Sequence, residues 1–496
     1  MRRLVLGGAA VLSLAILGVL GAGDVRILLV VPALAAILGL LVFTYRWPAH
    51  AMTLAFVLIP VAGTKFRNRD ALATVNNVLD GQVVFELALY ALIGVMTLVL
   101  MSSTRFRWPR LTLTARLLLA FTAFTAISAL WSYAPGLTIV RATQLATLVL
   151  LTIVTVTAFG AARVTRAFTS AVFIYVLVCA ALAAAFPAFQ GTTTDHSGFR
   201  RFSWFSLHPI TVAVFAGTAL VLLVTGIIYS REGLRARRLG IPDVLYAIPL
   251  GVILLAANSR GPLFAVIATI GLVVAIKVLR PVTATAVVAA ALLSVVAFNA
   301  SGMTIDSVIV NLSNGHSELQ EVVLRGQSPE EFESLTGRTS LWSELVPMVA
   351  ERPILGLGYQ ASRQLLLEAR PWAGHAHNGL IETMLDLGIV GTLLLWLPVL
   401  AILFLRRGAA DDRQREWLRV TFIAGIVFSL LNSATDVGFA GPTGLETELV
   451  LLCVFGAECL KTRAALPAFG VEAVLPGRRR PITSTPLRSP VTTSLQ

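Results

Sequence analysis

Charge is what this chain lacks. Only 13% of its 496 residues are charged, against 56% hydrophobic, whereas soluble domains carry about 25% charged residues. So few ionised side chains cannot cover a water-facing surface, which excludes an ordinary soluble enzyme. Cysteine is scarce too: Cys179, Cys453 and Cys459 are the full set. All three fall inside apolar runs and offer neither a disulfide framework nor a metal-ligand spacing. Histidine is also rare, with six residues in all.

What is present is a series of apolar runs, the first near residues 4–20 and the last near 444–460. Most reach the ~20 residues that cross a hydrocarbon core. They predict an all-α integral membrane protein with about 14 transmembrane helices, in the range of about 12–14. No small-residue cleavage site and soluble domain follow the first run, so it reads as a retained span. The net charge of +13 is spread over alternate connections, for example Arg105, Arg107 and Arg110, then Arg163 and Arg166, then Arg413, Arg415 and Arg419. That pattern is positive-inside topology, with both termini cytoplasmic. It predicts membrane lipids as partners and excludes nucleic acid.

Two outward connections are long, 188–206 and 300–378, and loops of that length usually carry function. Within 300–378, "SPEEFESL" offers Ser328 as a helix N-cap with Glu331 closing a capping box. "TSLWSELVPMVAERP" spaces Leu341, Leu345 and Val349 on one face before Pro353 stops the helix. Residues 1–461 therefore read as one polytopic membrane domain that includes a helical periplasmic loop at 300–378. Residues 462–496, rich in Pro, Ser, Thr and Arg, read as a disordered cytoplasmic tail.

Ionisable residues at membrane level are costly and repay inspection. Arg260, in "NSRG", stands where two spans meet with almost no loop. It is either a hairpin-turn arginine snorkelling to headgroups or one held to receive an anion. Arg338 stands at a helix start, where a cation is mildly unfavourable unless a phosphate binds beside it; a solvated loop arginine is the alternative. His375 and His377 stand two apart, a spacing that points to different faces of a helix, and no carboxylate or cysteine set completes a tetrahedral site, so no metal is expected. His377 could cap a helix or act as a general base, since imidazole, with a reference pKa near 6.5, is largely neutral at pH 7 yet accepts a proton. Asn378 could orient a substrate hydroxyl or cap the helix. Two guanidinium groups and a neutral base suit the departure of a diphosphate with deprotonation of a hydroxyl.

"HNGLIETMLDLGIVG", "GRTSLWSELVPMVAERPILGLGY" and "NSRG" together resemble the O-antigen ligase and polysaccharide polymerase superfamily of bacterial inner membranes. That resemblance implies a GT-C-like helical fold and a metal-independent glycosyltransferase without cofactors, its active site facing the periplasm. The implied donor is a glycan on undecaprenyl diphosphate; the acceptor would be a glycan, lipid A-core or protein. It implies His377 as the catalytic base and Arg260 and Arg338 as diphosphate-binding residues. Arg200 and Arg201, in "GFRRFSWFSLHP", join Asn378 as candidate substrate contacts. The extra spans, about 14 instead of the about 12 of many ligases, favour a polymerase. A lipid-linked glycan transporter or flippase is the competing reading, although transporters often show repeated halves and none is evident here.

Overall fold

The computed structural model describes residues 30–65, 80–194, 200–229, 243–278, 338–369, 374–406, 413–441 and 444–461. The expected spans near 4–20 and 282–299, the capping box at Ser328 and the tail at 462–496 lie outside the described residues. Every expected span that falls on described residues is helical. Eight of these helices are long and apolar enough to cross a membrane, and the chain is a multi-pass membrane protein.

The first half comprises α1 (Val30–Arg46), α2 (Pro48–Ala62), α3 (Gly81–Ser103), α4 (Leu113–Ile127), α5 (Pro135–Phe159), α6 (Ala161–Ala185) and α7 (Pro209–Tyr229). The second half comprises α8 (Asp243–Ala256), α9 (Arg260–Val278), α10 (Arg338–Glu351), α11 (Ser362–Ala369), α12 (Gly379–Ala401), α13 (Arg413–Thr435) and α14 (Leu445–Lys461). Helices α7 and α13 run through the middle of the bundle, with 78% and 89% of their most apolar stretch buried. At the periphery, α8 presents Leu245, Ile248, Val252 and Leu255 as an exposed apolar stripe. In water such a stripe would be an aggregation hazard; in a bilayer it meets acyl chains.

One departure from the all-α expectation is a two-stranded antiparallel hairpin, β1 (Gln190–Thr194) and β2 (Arg200–Trp204), in the 188–206 connection. Thr, Phe and Trp favour extended backbone, a signal too short to read against the surrounding apolar runs. The hairpin is pinned by Trp204, fully buried, whose Nε1 donates to Tyr175 Oη at 3.4 Å. Ser206 N donates to Lys65 O at 2.7 Å, tying the hairpin to the end of α2.

Helix α12 is broken at Gly388 (φ 60°, ψ −163°). The link after α10 threads into the break: Ile389 N donates to Pro353 O at 2.8 Å, while Leu357 N and Gly358 N donate to Leu385 O and Asp386 O at 3.0 and 2.7 Å. The backbones approach so closely that a Cβ on Gly388 would sit 2.3 Å from the Ile354 carbonyl carbon. Asp386 completes the joint by accepting from Gln360 N (2.9 Å) and Ser362 N (3.0 Å), which caps α11. Irregular backbone is tolerated at such depth only where protein satisfies its polar groups. The Leu341 and Leu345 face expected from spacing is buried with Leu366, Ala376 and Leu385, seating α10 on the N-terminal part of α12.

Candidate active site

The sequence motifs meet at one end of the bundle. Asn378 is the N-cap of α12, its Oδ1 accepting from Leu380 N (3.0 Å) and Ile381 N (3.1 Å). His377, just before the cap, holds a left-handed backbone (φ 52°), a conformation that costs energy for a non-glycine residue and clusters at functional sites. Two contacts enforce the turn. Glu382 Oε2 accepts from Ala376 N at 2.7 Å, and Trp342 Nε1 donates to Ala376 O at 2.8 Å. Trp342 and Arg338 stand four apart on α10 and so share a face. As Trp342 holds the histidine turn, the Arg338 guanidinium donates to Thr435 O at the end of α13.

The helical spacing assumed for His375 and His377 does not hold, because residues 374–378 form a turn rather than a helix. Their rings lie 4.1 Å apart, edge to face, and both turn Nδ1 toward Asp436 Oδ1, His377 at 3.5 Å and His375 at 3.8 Å. The His–His–Asp cluster has the donor set of a cation site, so the spacing reason for expecting no metal fails, and chelation has to decide the point. Asp436 directly follows Thr435, which places the carboxylate beside the Arg338 contact.

Arg260, the first residue of α9, is brought to the same place through Gly261. A Cβ on Gly261 would lie 2.6 Å from Thr435 Oγ1, so only glycine lets α9 start against the end of α13. Arg201 reaches the α8–α9 turn, its Nε donating to Ala257 O at 3.4 Å. Arg200 pairs with Thr194 at the open end of the hairpin. His377 and Arg338 therefore meet at the Thr435–Asp436 corner, the first turn of α9 packs against it, and Arg201 reaches the neighbouring α8–α9 turn. Asn378 caps α12 through its Oδ1.

Several charged groups at this end escaped sequence reasoning. His208, with Nδ1 accepting from Ile210 N at 3.3 Å, lies within electrostatic reach of Asp436, His377, Arg201 and Lys65. Arg363 donates to Gly374 O at 3.3 Å, behind the histidine turn, and with Lys65 adds positive potential there. Arg141 pairs with Glu86 at 2.6 Å. Lys65 and His208 lie in separate connections and Arg363 on α11, with no motif to join them.

Burial sets the protonation of His375. Burial, aided by His377, Arg363 and Lys65 and opposed by Asp436, pushes the His375 pKa down to about 3. His375 therefore stays neutral and is a poor proton acceptor at neutral pH. Burial would raise Asp436, but His377, His375 and Arg338 outweigh it and hold the carboxylate below its usual range. A prediction follows for His375, whose folded pKa lies below the unfolded value of about 6.5. Below that pH the unfolded chain takes up a proton that the folded chain refuses, so this contribution to stability is full above pH 6.5 and falls toward pH 3. Thermal unfolding in detergent should show the melting temperature dropping across that window, and His375→Asn should flatten the drop. An equal slope in both proteins would contradict the assignment.

The comparison with known proteins covers the same stretch. Residues 245–396 match the O-antigen ligase family. The matched segment runs from α8 to α12 and contains Arg260, Arg338 and His377; it ends before Asp436. The resemblance read from the motifs is thereby shown. A 108-residue stretch is also 33% identical to the exopolysaccharide production protein ExoQ of Rhizobium meliloti (strain 1021). That match spans 19% of this chain and 25% of ExoQ, so it speaks for a segment and not for two whole proteins.

Proposed function

We propose that this protein is a glycosyltransferase of the ligase and polymerase type. It moves a glycan from undecaprenyl diphosphate to an acceptor hydroxyl at the periplasmic face of the bacterial inner membrane. The observation that carries this reading is the joint placement of His377, Asp436 and Arg338, with the N-terminus of α9, at one end of the bundle. The His377 Nδ1–H faces Asp436, which leaves Nε2 to accept a proton from the acceptor hydroxyl. The acceptor oxygen then attacks the anomeric carbon, the bond from that carbon to the diphosphate oxygen breaks, and the carrier diphosphate leaves with the electron pair. Asp436 stabilises the imidazolium, while Arg338 and Arg260, with Arg201 beside them, take the charge on the leaving group. His375, held neutral, packs the base in place.

Between the two members of the type, the polymerase is favoured, because the segment relative is an exopolysaccharide production protein. Reconstituted protein supplied with undecaprenyl-diphosphate glycan and acceptor is expected to join them and release the carrier diphosphate. Movement of the donor across the bilayer without release would favour a transporter. The reaction is also expected to proceed unchanged in EDTA, since positioned guanidinium groups supply the charge stabilisation that a metal would otherwise give. A loss of turnover on chelation, restored by one divalent cation, would make His375, His377 and Asp436 ligands instead.

A further inference from the structure

At the opposite end of the bundle lies a half-open cavity of about 480 Å³ between α2, α6, α7 and α13. Its polar wall carries Arg163, Arg166, His50 and Ser170, and its inner wall is apolar, with Met52 and Leu222. No Asp or Glu is among the described residues lining it. Both arginines stand in the first two turns of α6. Two guanidinium groups on one wall make the cavity electropositive, which favours an anionic occupant.

A second, independent feature points the same way. Trp417 is 4% exposed and lines the cavity, yet its Nε1–H finds no acceptor among the described residues. A Cβ on Gly226, another lining residue, would lie 3.9 Å from that nitrogen. A buried donor without an acceptor costs its full desolvation, so an acceptor supplied from the cavity would relieve it. The Trp417 ring also holds Arg166, whose guanidinium carbon lies 5.6 Å from the ring centroid. Half-exposed Tyr45 and Trp47, just before His50, stand where amphipathic aromatics mark the membrane–water boundary.

We infer that this cavity binds the phosphate headgroup of an anionic membrane lipid. The arginines hold the phosphate, and an acyl chain follows the apolar wall toward the bilayer. A lipid fits better than a soluble phosphate because the cavity joins a cationic rim to an apolar wall at the level of the headgroups. Basic pockets between spans recognise such lipids. The site is remote from the His377 corner and does not depend on the transfer reaction.

The test uses the full chain in nanodiscs of phosphatidylcholine alone or doped with phosphatidylglycerol, read by melting temperature and by lipid retained in native mass spectrometry. Phosphatidylglycerol should raise the melting temperature and remain bound, and millimolar inorganic phosphate should do neither. In Arg163→Gln combined with Arg166→Gln, retention should fall by about tenfold or more, as expected when two charge-assisted contacts are lost. Ser170→Trp, which fills the cavity and keeps both arginines, should lose retention to a similar extent, so a folding defect of the arginine variant does not decide the result. Equal retention by the cavity-filled variant, no preference for phosphatidylglycerol, or a full shift from inorganic phosphate alone would overturn the proposal.

Discussion

Replacing His377 with alanine is expected to abolish measurable glycan transfer, a loss of roughly 10²–10⁴-fold for a general base, with membrane insertion and folding intact. Folding should survive because the turn is held by its neighbours: Glu382 and Trp342 bind the backbone of Ala376, and Asn378 caps α12. Removing the ring also relieves the left-handed side chain at φ 52° only slightly, so stability should change little. His375→Ala should lose far less, because that imidazole is already a poor acceptor. Asp436→Asn separates positioning from chemistry. It should lower kcat more than it changes the donor KM, and it should move the acid limb of the pH profile, since the amide no longer stabilises the imidazolium. Wild-type turnover from His377→Ala would remove the base from this account.

The second large effect is expected at the arginines. Arg338→Ala and Arg260→Ala should each lower turnover by roughly 100-fold or more, in line with the ~3–4 kcal/mol lost when one charge-stabilising donor is removed. Arg338 also donates to Thr435 O, so part of the loss could come from a displaced α13 end. Arg338→Lys controls for this: the charge stays and the planar fork is lost. Partial activity with a weakened donor KM is expected for the lysine variant, measured on the same donor series. Full activity in Arg338→Ala and Arg260→Ala together would show that the leaving diphosphate is held elsewhere.

Much of this is legible in the amino-acid sequence. The apolar runs announce their helices because a bilayer demands both length and composition. His377, Arg338 and Arg260 could be named from three short motifs, and their convergence follows from facts those motifs contain only implicitly. Glycine at 261 and 379 allows two helix starts to close on the end of α13, where a Cβ on Gly379 would lie 2.8 Å from Val437 O. Trp342 and Arg338 then bridge across from α10.

What was not legible has physical reasons. Asp436 is a lone carboxylate after an apolar helix, and nothing in its local sequence states that two imidazoles from residues 374–378 will face it. The spacing of His375 and His377 misled because helical geometry does not extend ahead of the Asn378 cap, where residues 374–378 form a turn. Glu382 and Asp386 look like buried charges on an apolar helix. Their purpose, receiving backbone N–H groups from the histidine turn and from the start of α11, exists only in the folded chain. The β-hairpin was hidden in a connection too short to show alternation against its neighbours.

The central claim is bond transfer at the Thr435–Asp436 corner, and one measurement reaches it most directly. Purified protein in liposomes is given undecaprenyl-diphosphate glycan and acceptor, and the freed carrier diphosphate is quantified together with the joined glycan. One carrier released per glycan joined, with neither product from His377→Ala, is the expected result. Donor that crosses the bilayer with its glycan still attached, at equal rates in wild type and His377→Ala, would contradict it.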